Sequence, residues 1–335
     1  MTVTADGDVL EARDVRVRFG SVCAVDGVSL ELHRGEMTGL VGESGCGKST
    51  LGRALTGLLP RNARITGEIR HAGVDLLQLS GRRLRRTRGV ELGMIFQEPM
   101  TRLDPLMRIS GHFAETLRAH NPGISRRELE RRSLAALVRA GIPPTRFRQY
   151  PHEFSGGMRQ RILIALALAL EPAFLVADEP TTALDVLVEA QIVALLDGLK
   201  SSSRTGFLLI THNLALVAEV CDRVAVMYAG EIVEIGTVEN VLRRPAHPYT
   251  RELLRSTISL STRELHSIEG APPDLGAPPA GCRFHPRCPD AMEVCARVHP
   301  VEIEREPGER VSCWLHGPVG EIPPNGATRL ERPRR

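Results

Sequence analysis

The sequence SGGMRQ at residues 155–160 is the most informative stretch of this 335-residue chain. It lies between a glycine-rich loop, GESGCGKS at residues 42–49, and an apolar run at residues 174–177 that ends in Asp178 and Glu179. Short, continuous apolar runs are typical of strands that are buried on both faces of a parallel sheet. The order of these three features favours an α/β fold whose functional groups lie at strand ends.

The glycine-rich loop matches the phosphate-binding pattern G-x-x-x-x-G-K-[ST]. Its glycines allow successive backbone N–H groups to face phosphates, and the N-terminus of the following helix adds a favourable field. Lys48 is expected to reach the β- and γ-phosphates, and Ser49 to bind Mg²⁺. A structural glycine turn is the less favoured alternative, because the loop lies between a predicted strand and a predicted helix. The predicted nucleotide contacts here are Gly42, Ser44, Gly45, Cys46, Gly47, Lys48, Ser49 and Thr50.

The carboxylates of Asp178 and Glu179 follow a predicted buried strand. Asp178 suits Mg²⁺, usually through water, and Glu179 is placed to polarise an attacking water. Taken alone, an acidic strand end is equally compatible with a solvated loop. Its position after the phosphate-binding loop and the Ser-Gly-Gly motif favours the catalytic interpretation.

Composition excludes several classes of protein. A net charge of +3 is too small to require nucleic acid, and 4% aromatic residues is low for a base-stacking surface. No run approaches the roughly eighteen apolar residues of a membrane-spanning helix, and the acidic N-terminus lacks the apolar core of a signal peptide. We therefore expect a cytoplasmic protein whose seven cysteines are thiols or metal ligands rather than disulfides.

The pattern along the chain divides it into two domains and a tail. Residues 99–171 are predominantly helical and rich in Arg and Glu, which predicts a helical subdomain inserted between two halves of a sheet in a domain spanning residues 1–245. A Pro- and Gly-rich linker at 270–281 lies within a second domain, residues 246–320, and residues 321–335 are predicted to be disordered. The predicted strands are 9–19, 24–32, 38–41, 93–97, 174–177, 207–210, 223–228 and 231–235.

Taken together, these motifs resemble the ATP-binding cassette (ABC) ATPases. The resemblance implies an α/β P-loop cassette with an antiparallel β subdomain and an inserted helical subdomain, here followed by a small cysteine-rich extension. It also implies a dimer in which the signature motif of one subunit closes over the γ-phosphate bound by the other. The residues that match this composite site are Ser155, Gly156, Gly157 and Gln160, with Asp185 in the D-loop Ala183-Leu184-Asp185.

Three further residues match cassette positions. Gln97 resembles the Q-loop glutamine, which senses Mg²⁺ and γ-phosphate and contacts the membrane partner. His212 resembles the switch histidine, although a lone histidine at a strand end is more often structural. Phe19 fits the aromatic residue that stacks on adenine, with a core phenylalanine as the alternative. The resemblance thus implies the catalytic residues Glu179, His212 and Gln97, and Mg²⁺ held through Ser49, Gln97 and Asp178.

Segments outside the general cassette motifs narrow the resemblance. The stretches MIFQEPM at 94–100, FSGGMRQR at 154–161, HPYT at 247–250 and GCRFHPRC at 281–288 closely resemble the ATPase subunits of dipeptide and oligopeptide importers, a group that includes nickel and glutathione importers. Glu98 and Asp104 are mild departures, because the family often has Asp and Asn there. The resemblance implies a second ABC ATPase, identical or paralogous, two integral membrane permeases, an extracytoplasmic solute-binding protein, no nucleic acid, and a peripheral position on the cytoplasmic face of the membrane.

The implied function is ATP hydrolysis that powers uptake of di- or oligopeptides. Nickel or another small solute stays open, because specificity in such importers resides mainly in the binding protein and permeases. Two rivals from another class are a soluble cassette ATPase acting on nucleic acid or ribosomes, and an ATP-using module regulated by an iron–sulfur tail. The first typically has two cassettes, long coiled coils or strongly basic patches, which this sequence lacks.

Four cysteines crowd into the tail with the spacing C-x5-C-x6-C-x17-C: Cys282, Cys288, Cys295 and Cys313. The tight C-x2–4-C pairs usual in zinc sites are missing, and four thiolates on wider loops suit a [4Fe–4S] cluster. The family resemblance points the same way, since some peptide-importer ATPases carry such a cluster. We predict a cluster that staples a small tail, with zinc or metal-free buried thiols as alternatives.

Overall fold

A computed structural model describes residues 7–97, 102–182, 185–202, 204–256 and 266–317. The predicted disordered tail at 321–335, Glu98 and Ala183-Leu184 of the D-loop lie outside these residues. The strands are β1 Val9–Phe19, β2 Val22–His33, β3 Met37–Val41, β4 Ala63–His71, β5 Val74–Asp75, β6 Leu92–Ile95, β7 Phe174–Asp178, β8 Gly206–Ile210, β9 Arg223–Tyr228, β10 Glu231–Thr237, β11 Glu302–Glu306 and β12 Glu309–Ser312. The helices are α1 Lys48–Leu55, α2 Gly81–Val90, α3 Ile109–His120, α4 Arg126–Arg139, α5 Gly156–Leu168, α6 Val186–Ser202, α7 Leu214–Val220, α8 Val238–Arg243, α9 Pro248–Arg255 and α10 Glu293–Arg297.

The main sheet has the strand order β11-β12-β10-β9-β3-β8-β7-β6. Its central strands β9, β3, β8, β7 and β6 are parallel, and β3, β7 and β8 are buried along their whole length. Alternate residues of these strands enter different cores. Val176 and Leu208 pack with α1 and the antiparallel sheet β2-β1-β4-β5, whereas Leu175 and Leu209 pack with α5, α6 and α7. The predicted α/β fold with an antiparallel β subdomain is confirmed.

Helices α3, α4 and α5 enclose a separate apolar core. Phe113 and Leu117 of α3 meet Leu137 of α4 and Ile162 of α5 there. Helix α5 also sends Ile164 into the core beneath the main sheet. Helix α5 is therefore shared between the helical region and the core of the main sheet. No helix in the part of the chain that the structure describes is long and apolar enough to cross a membrane.

The C-terminal extension packs directly against the cassette. The hairpin β11–β12, which the sequence analysis missed, extends the main sheet, with β12 antiparallel to β10. The rings of Tyr249 and Phe284 pack on Tyr228 of β9, with centroids 4.5 and 5.2 Å away. The extension therefore shares a core with the cassette.

Candidate nucleotide site

The phosphate-binding loop connects β3 to α1 and depends on two of its glycines. A Cβ atom at Gly42 would lie 2.1 Å from the carbonyl oxygen of Met227, and one at Gly47 would lie 2.1 Å from that of Ala24. Both glycines also have positive φ, 153° and 106°, which disfavours residues with a side chain. Around them, Ser44 and Gly45 are exposed at the tip, Cys46 is buried, and Thr50 is half-buried in the first turn of α1.

Lys48 and Ser49 lie at the start of α1, as the motif requires. The Lys48 Nζ donates to the carbonyl oxygens of Gly42 and Glu43, at 2.8 and 2.9 Å. Ser49 Oγ donates to Asp178 Oδ1 at 2.8 Å, so two of the three predicted Mg²⁺ ligands meet across β7 and α1. Burial raises the pKa of Asp178, and the hydrogen bond from Ser49 opposes that shift. Hard oxygen donors next to a phosphate-binding loop fit Mg²⁺, which keeps several waters and binds few protein ligands.

Glu179 is the meeting point of the predicted catalytic residues. Its Oε2 accepts hydrogen bonds from Gln97 Nε2 at 2.9 Å and from Thr182 Oγ1 at 2.7 Å. Its Oε1 lies 3.5 Å from His212 Nδ1, and the His212 side chain is 70% exposed. The structure thus brings Gln97, Glu179 and His212 together beside Asp178, with one carboxylate oxygen of Glu179 held by two donors.

Sequence reasoning missed a polar network beside Glu179. Asn213 Nδ2 and Thr181 Oγ1 both donate to Glu189 Oε1, each at 3.1 Å. Asn213 also caps the N-terminus of α7 through its side chain. These bonds tie the segment that carries Glu179 to the helices α6 and α7. The signal available in the sequence was the polar residues Thr181 and Asn213, which lie close after Glu179 and His212. The sequence does not indicate, however, that both would bind Glu189.

The signature motif forms the N-terminus of α5. Ser155 is exposed and caps the helix, accepting from Met158 N at 3.4 Å. A Cβ at Gly156 would meet nothing within 4 Å, whereas one at Gly157 would lie 2.3 Å from Val188 Cγ1 on α6. Asp185 is exposed and caps α6 by accepting from Val188 N. The signature and the D-loop helix are thus in direct contact through Gly157.

Two predicted residues stand apart from this group. Gln160 is 1% exposed on α5, and its side-chain nitrogen and oxygen have no hydrogen-bond partner among the described residues. It therefore lies in the interior and does not share the surface of Ser155. Phe19 ends β1, half-buried against the core.

Comparisons with known proteins bear directly on the family. The model for ABC transporters matches residues 25–182, and the model for the oligopeptide/dipeptide transporter C-terminal region matches residues 233–295. The dipeptide transport ATP-binding protein DppD of Bacillus subtilis is 47% identical over 317 residues, covering 92% of this chain and 94% of that protein. The oligopeptide transport ATP-binding protein OppD of Salmonella typhimurium is 45% identical over 322 residues, covering 94% and 95%.

The chain belongs to the oligopeptide/dipeptide family of ABC transporter ATP-binding proteins. The predicted family is therefore confirmed. Among solved structures, the cassette MJ0796, dimeric and bound to ADP and Pi, has a TM-score of 0.59 at 26% identity, covering 69% of this chain and 98% of that one. The cbiO1 protein of Clostridium perfringens, part of the complex cbiONQ, has a TM-score of 0.63 at 26% identity, covering 71% and 92%.

The structure does not support the predicted metal centre at the four tail cysteines. Nowhere in the described ranges do three His, Cys, Asp or Glu side chains come together to hold a metal ion. The thiols are near enough to influence one another electrostatically, yet Cys288, Cys295 and Cys313 pack into three different apolar clusters. Burial raises the pKa of Cys282 and Cys288 to about 12 and that of Cys313 to about 11. The predicted [4Fe–4S] cluster and its zinc alternative are not supported.

Proposed function

We propose that this chain is the ATP-hydrolysing subunit of an importer that takes up di- or oligopeptides across the cytoplasmic membrane. The observation that carries the hydrolytic part is the carboxylate of Glu179, held by Gln97 and Thr182 beside the Ser49–Asp178 pair. The peptide part is supported by relatives of matching length whose names state dipeptide or oligopeptide transport. We assign residues 1–245 to the nucleotide-binding domain, with about 99–171 as its helical part, and 246–320 to the extension.

The residues of the site have different roles in ATP hydrolysis. The phosphate-binding loop and Lys48 hold the triphosphate, and Phe19 presents its exposed side to adenine. Ser49 and Asp178, with Gln97, would hold Mg²⁺, which when bound supplies charge neutralisation at the β- and γ-phosphates. Glu179 orients the attacking water and accepts its proton. His212, exposed at the end of β8, contacts the γ-phosphate.

The signature motif serves a nucleotide held by a second ABC ATPase, either a copy of this chain or a paralogue. Ser155 and Gly156 are exposed at the N-terminus of α5, where backbone N–H groups favour an anion. Asp185 is exposed at the N-terminal cap of α6, the helix that Gly157 contacts. The dimeric state of the similar cassette MJ0796 supports this arrangement. Gln160 is left out because its side chain is buried.

The permeases dock in a cleft beside the Q-loop. This cleft has a volume of about 380 Å³ and is lined by residues of α3, α5 and β6. It is mostly apolar, and the guanidinium of Arg102 lies 4.4 Å from the ring centroid of Phe96 at its edge. Phe96 precedes Gln97, so an occupant of the cleft would act on the residue that holds Glu179. We propose that the chain is a peripheral subunit on the cytoplasmic face of the membrane.

The transported solute is tested with the complete importer in proteoliposomes. Phosphate release is measured with the solute-binding protein supplied empty, with di- and oligopeptides, or with nickel. Stimulation by peptides, and not by nickel, is expected. Stimulation by nickel alone would assign the chain to a metal importer, and equal rates in all arms would overturn coupled transport.

A further inference from the structure

The C-terminal extension makes direct contact with the phosphate-binding loop. Arg287 forms a two-pronged ion pair with Glu43, the second residue of the loop, through Nη1–Oε2 at 2.6 Å and Nη2–Oε1 at 3.0 Å. The side chain of Arg287 is 4% exposed and that of Glu43 is 23% exposed. Two parallel charge-assisted hydrogen bonds fix geometry as well as charge, so the carboxylate has one preferred orientation.

A second residue of the extension holds the backbone of Glu43. The Glu43 N–H donates to the hydroxyl of Tyr249 at 2.9 Å, and Tyr249 is fully buried. The Glu43 carbonyl accepts from Lys48 Nζ. The extension thus fixes both the side chain and the backbone N–H of Glu43. Lys48, the lysine expected to bind phosphate, fixes its carbonyl group.

Arg287 is itself fixed from several directions. Its Nε donates to the carbonyl oxygen of Glu269 at 2.9 Å, and its Nη1 donates to the hydroxyl of Tyr228 at 3.2 Å. If the loop moved, the guanidinium could follow Glu43 only by breaking these hydrogen bonds and disturbing the extension. Without Arg287, a carboxylate would stand uncompensated in a loop that receives a triphosphate, and like charges at short range repel.

We propose that Arg287 is a positioning residue for the nucleotide site, which neutralises Glu43 and makes the affinity of the loop for MgATP depend on the docked C-terminal extension. This inference rests on the proposed ATP binding at residues 42–49. It gives the extension a role in the ATP cycle that does not depend on a metal centre at the tail cysteines.

Arg283 offers a matched control, because it attaches the extension to the cassette without contacting the phosphate-binding loop. Its side chain is 8% exposed, and its described ion pairs are with Asp26 and Glu231. It also donates to the carbonyl oxygen of Ala229 at 2.5 Å. Arg283 therefore docks the same extension onto the cassette through residues outside the phosphate-binding loop.

The test is calorimetric binding of MgATP to the full-length chain, with thermal unfolding measured in parallel. Arg287→Ala should raise the Kd about fivefold or more, and adding Glu43→Gln should return it to within about twofold of the parent, because the uncompensated charge is gone. Arg287→Gln, which keeps a donor but not the charge, should behave like Arg287→Ala. Arg283→Ala should lower the melting temperature and leave the Kd within about twofold of the parent.

A Kd for both Arg287 variants within about twofold of the parent would overturn the proposal. So would a double variant as weak as Arg287→Ala, or an equal loss of affinity in Arg283→Ala, because either result indicates stapling alone. If Arg287→Ala does not fold, Arg287→Gln with and without Glu43→Gln decides. Failure of the parent to bind MgATP would instead contradict the proposed function, so the two failures are distinguishable.

Discussion

At the scale of single residues, Glu179 shows how the fold maintains an unfavourable conformation at the site. Its φ is 46°, a left-handed conformation that costs on the order of 1–3 kcal/mol for a residue with a side chain. The Glu179 N–H donates to the carbonyl oxygen of Ile210, and the carboxylate is held by Gln97 and Thr182. These bonds offset the strain and hold the carboxylate in place.

The motif residues were predictable because the chemistry of each is local to its loop. The phosphate-binding loop, Asp178 and Glu179 follow from spacing and residue type alone. The hydrogen bond from Thr182 to Glu179 was not predictable, because the sequence does not indicate which donor a carboxylate will bind. The burial of Gln160 was likewise missed, since the helix that carries it has apolar residues on both faces and so no periodicity to read.

Because His247 is buried, the free energy of unfolding should depend measurably on pH. His247 caps α9, accepts from Tyr249 N at 3.0 Å and is 1% exposed, and burial, reinforced by Arg251 and His316, lowers its pKa from 6.5 to about 3. Because the unfolded state takes up the proton first, stability is complete above pH 6.5 and is lost as the pH falls towards 3. At pH 5 the loss should be about 2 kcal/mol.

The measurement is urea unfolding at pH 7 and pH 5. In His247→Asn, which keeps a capping side chain, the fall in unfolding free energy over this interval should be smaller than in the parent by that amount. His152→Asn, at an exposed position, should leave the fall unchanged. Equal falls in parent and His247→Asn would show that His247 does not titrate as described.

At the scale of elements, Gly157 sets how closely α5 approaches α6. A methyl group at this position would overlap Val188 Cγ1, whereas one at Gly156 would point into open space. Gly157→Ala should therefore destabilise the chain by about 1–3 kcal/mol through overpacking, and Gly156→Ala should be neutral or slightly stabilising. Thermal and urea unfolding of the two variants measure the difference.

The double variant Gly157→Ala/Val188→Ala identifies the cause. Removing the two methyl groups of Val188 should restore most of the stability lost in Gly157→Ala. If the double variant is less stable than either single variant, the clash between these two elements is not the reason for glycine in the signature motif.

Strands with strong apolar runs were predictable from sequence, and strands made by long-range pairing were not. Strand β1 was predicted at its observed bounds, and β3, β7, β8 and β9 within one residue at each end. Strand β4 has mostly exposed residues and pairs with β1, while β11 and β12 are rich in Glu and Arg. Their polar sequences resemble loops, and only the edges offered by β1 and β10 order them. The turn Pro307-Gly308 was the signal that could have suggested the second hairpin.

At the scale of the whole molecule, the extension is stabilised by contacts that the sequence could not reveal. The cysteine spacing suggested a metal staple, but the extension is joined to the cassette by β12 on β10, by an aromatic cluster and by Arg283 and Arg287. Asp26, which pairs with Arg283, and Glu43, which pairs with Arg287, lie 257 and 244 residues earlier in the chain. Spacing within the extension carries no information about such partners.

The cleft beside the Q-loop predicts a variant that uncouples the chain from its permeases. Thr116 of α3 lines the cleft, and a long cation there would occupy it while reaching solvent. Thr116→Arg should keep MgATP affinity and lose most of the permease that co-purifies from detergent-solubilised membranes. The neighbouring Glu115 is exposed, so Glu115→Arg should retain the permeases. Equal recovery in the two variants would place the docking surface elsewhere.

The most direct test of the account is phosphate release by the complete importer when this chain carries Glu179→Gln. MgATP should still bind with unchanged affinity, and peptide-stimulated release should fall about a hundredfold or more, since proton transfer by a positioned base contributes about 10²–10⁴-fold. Glu219→Gln, at an exposed position of α7, should release phosphate at the parent rate. A Glu179→Gln importer that retains half or more of the parent rate would contradict the account.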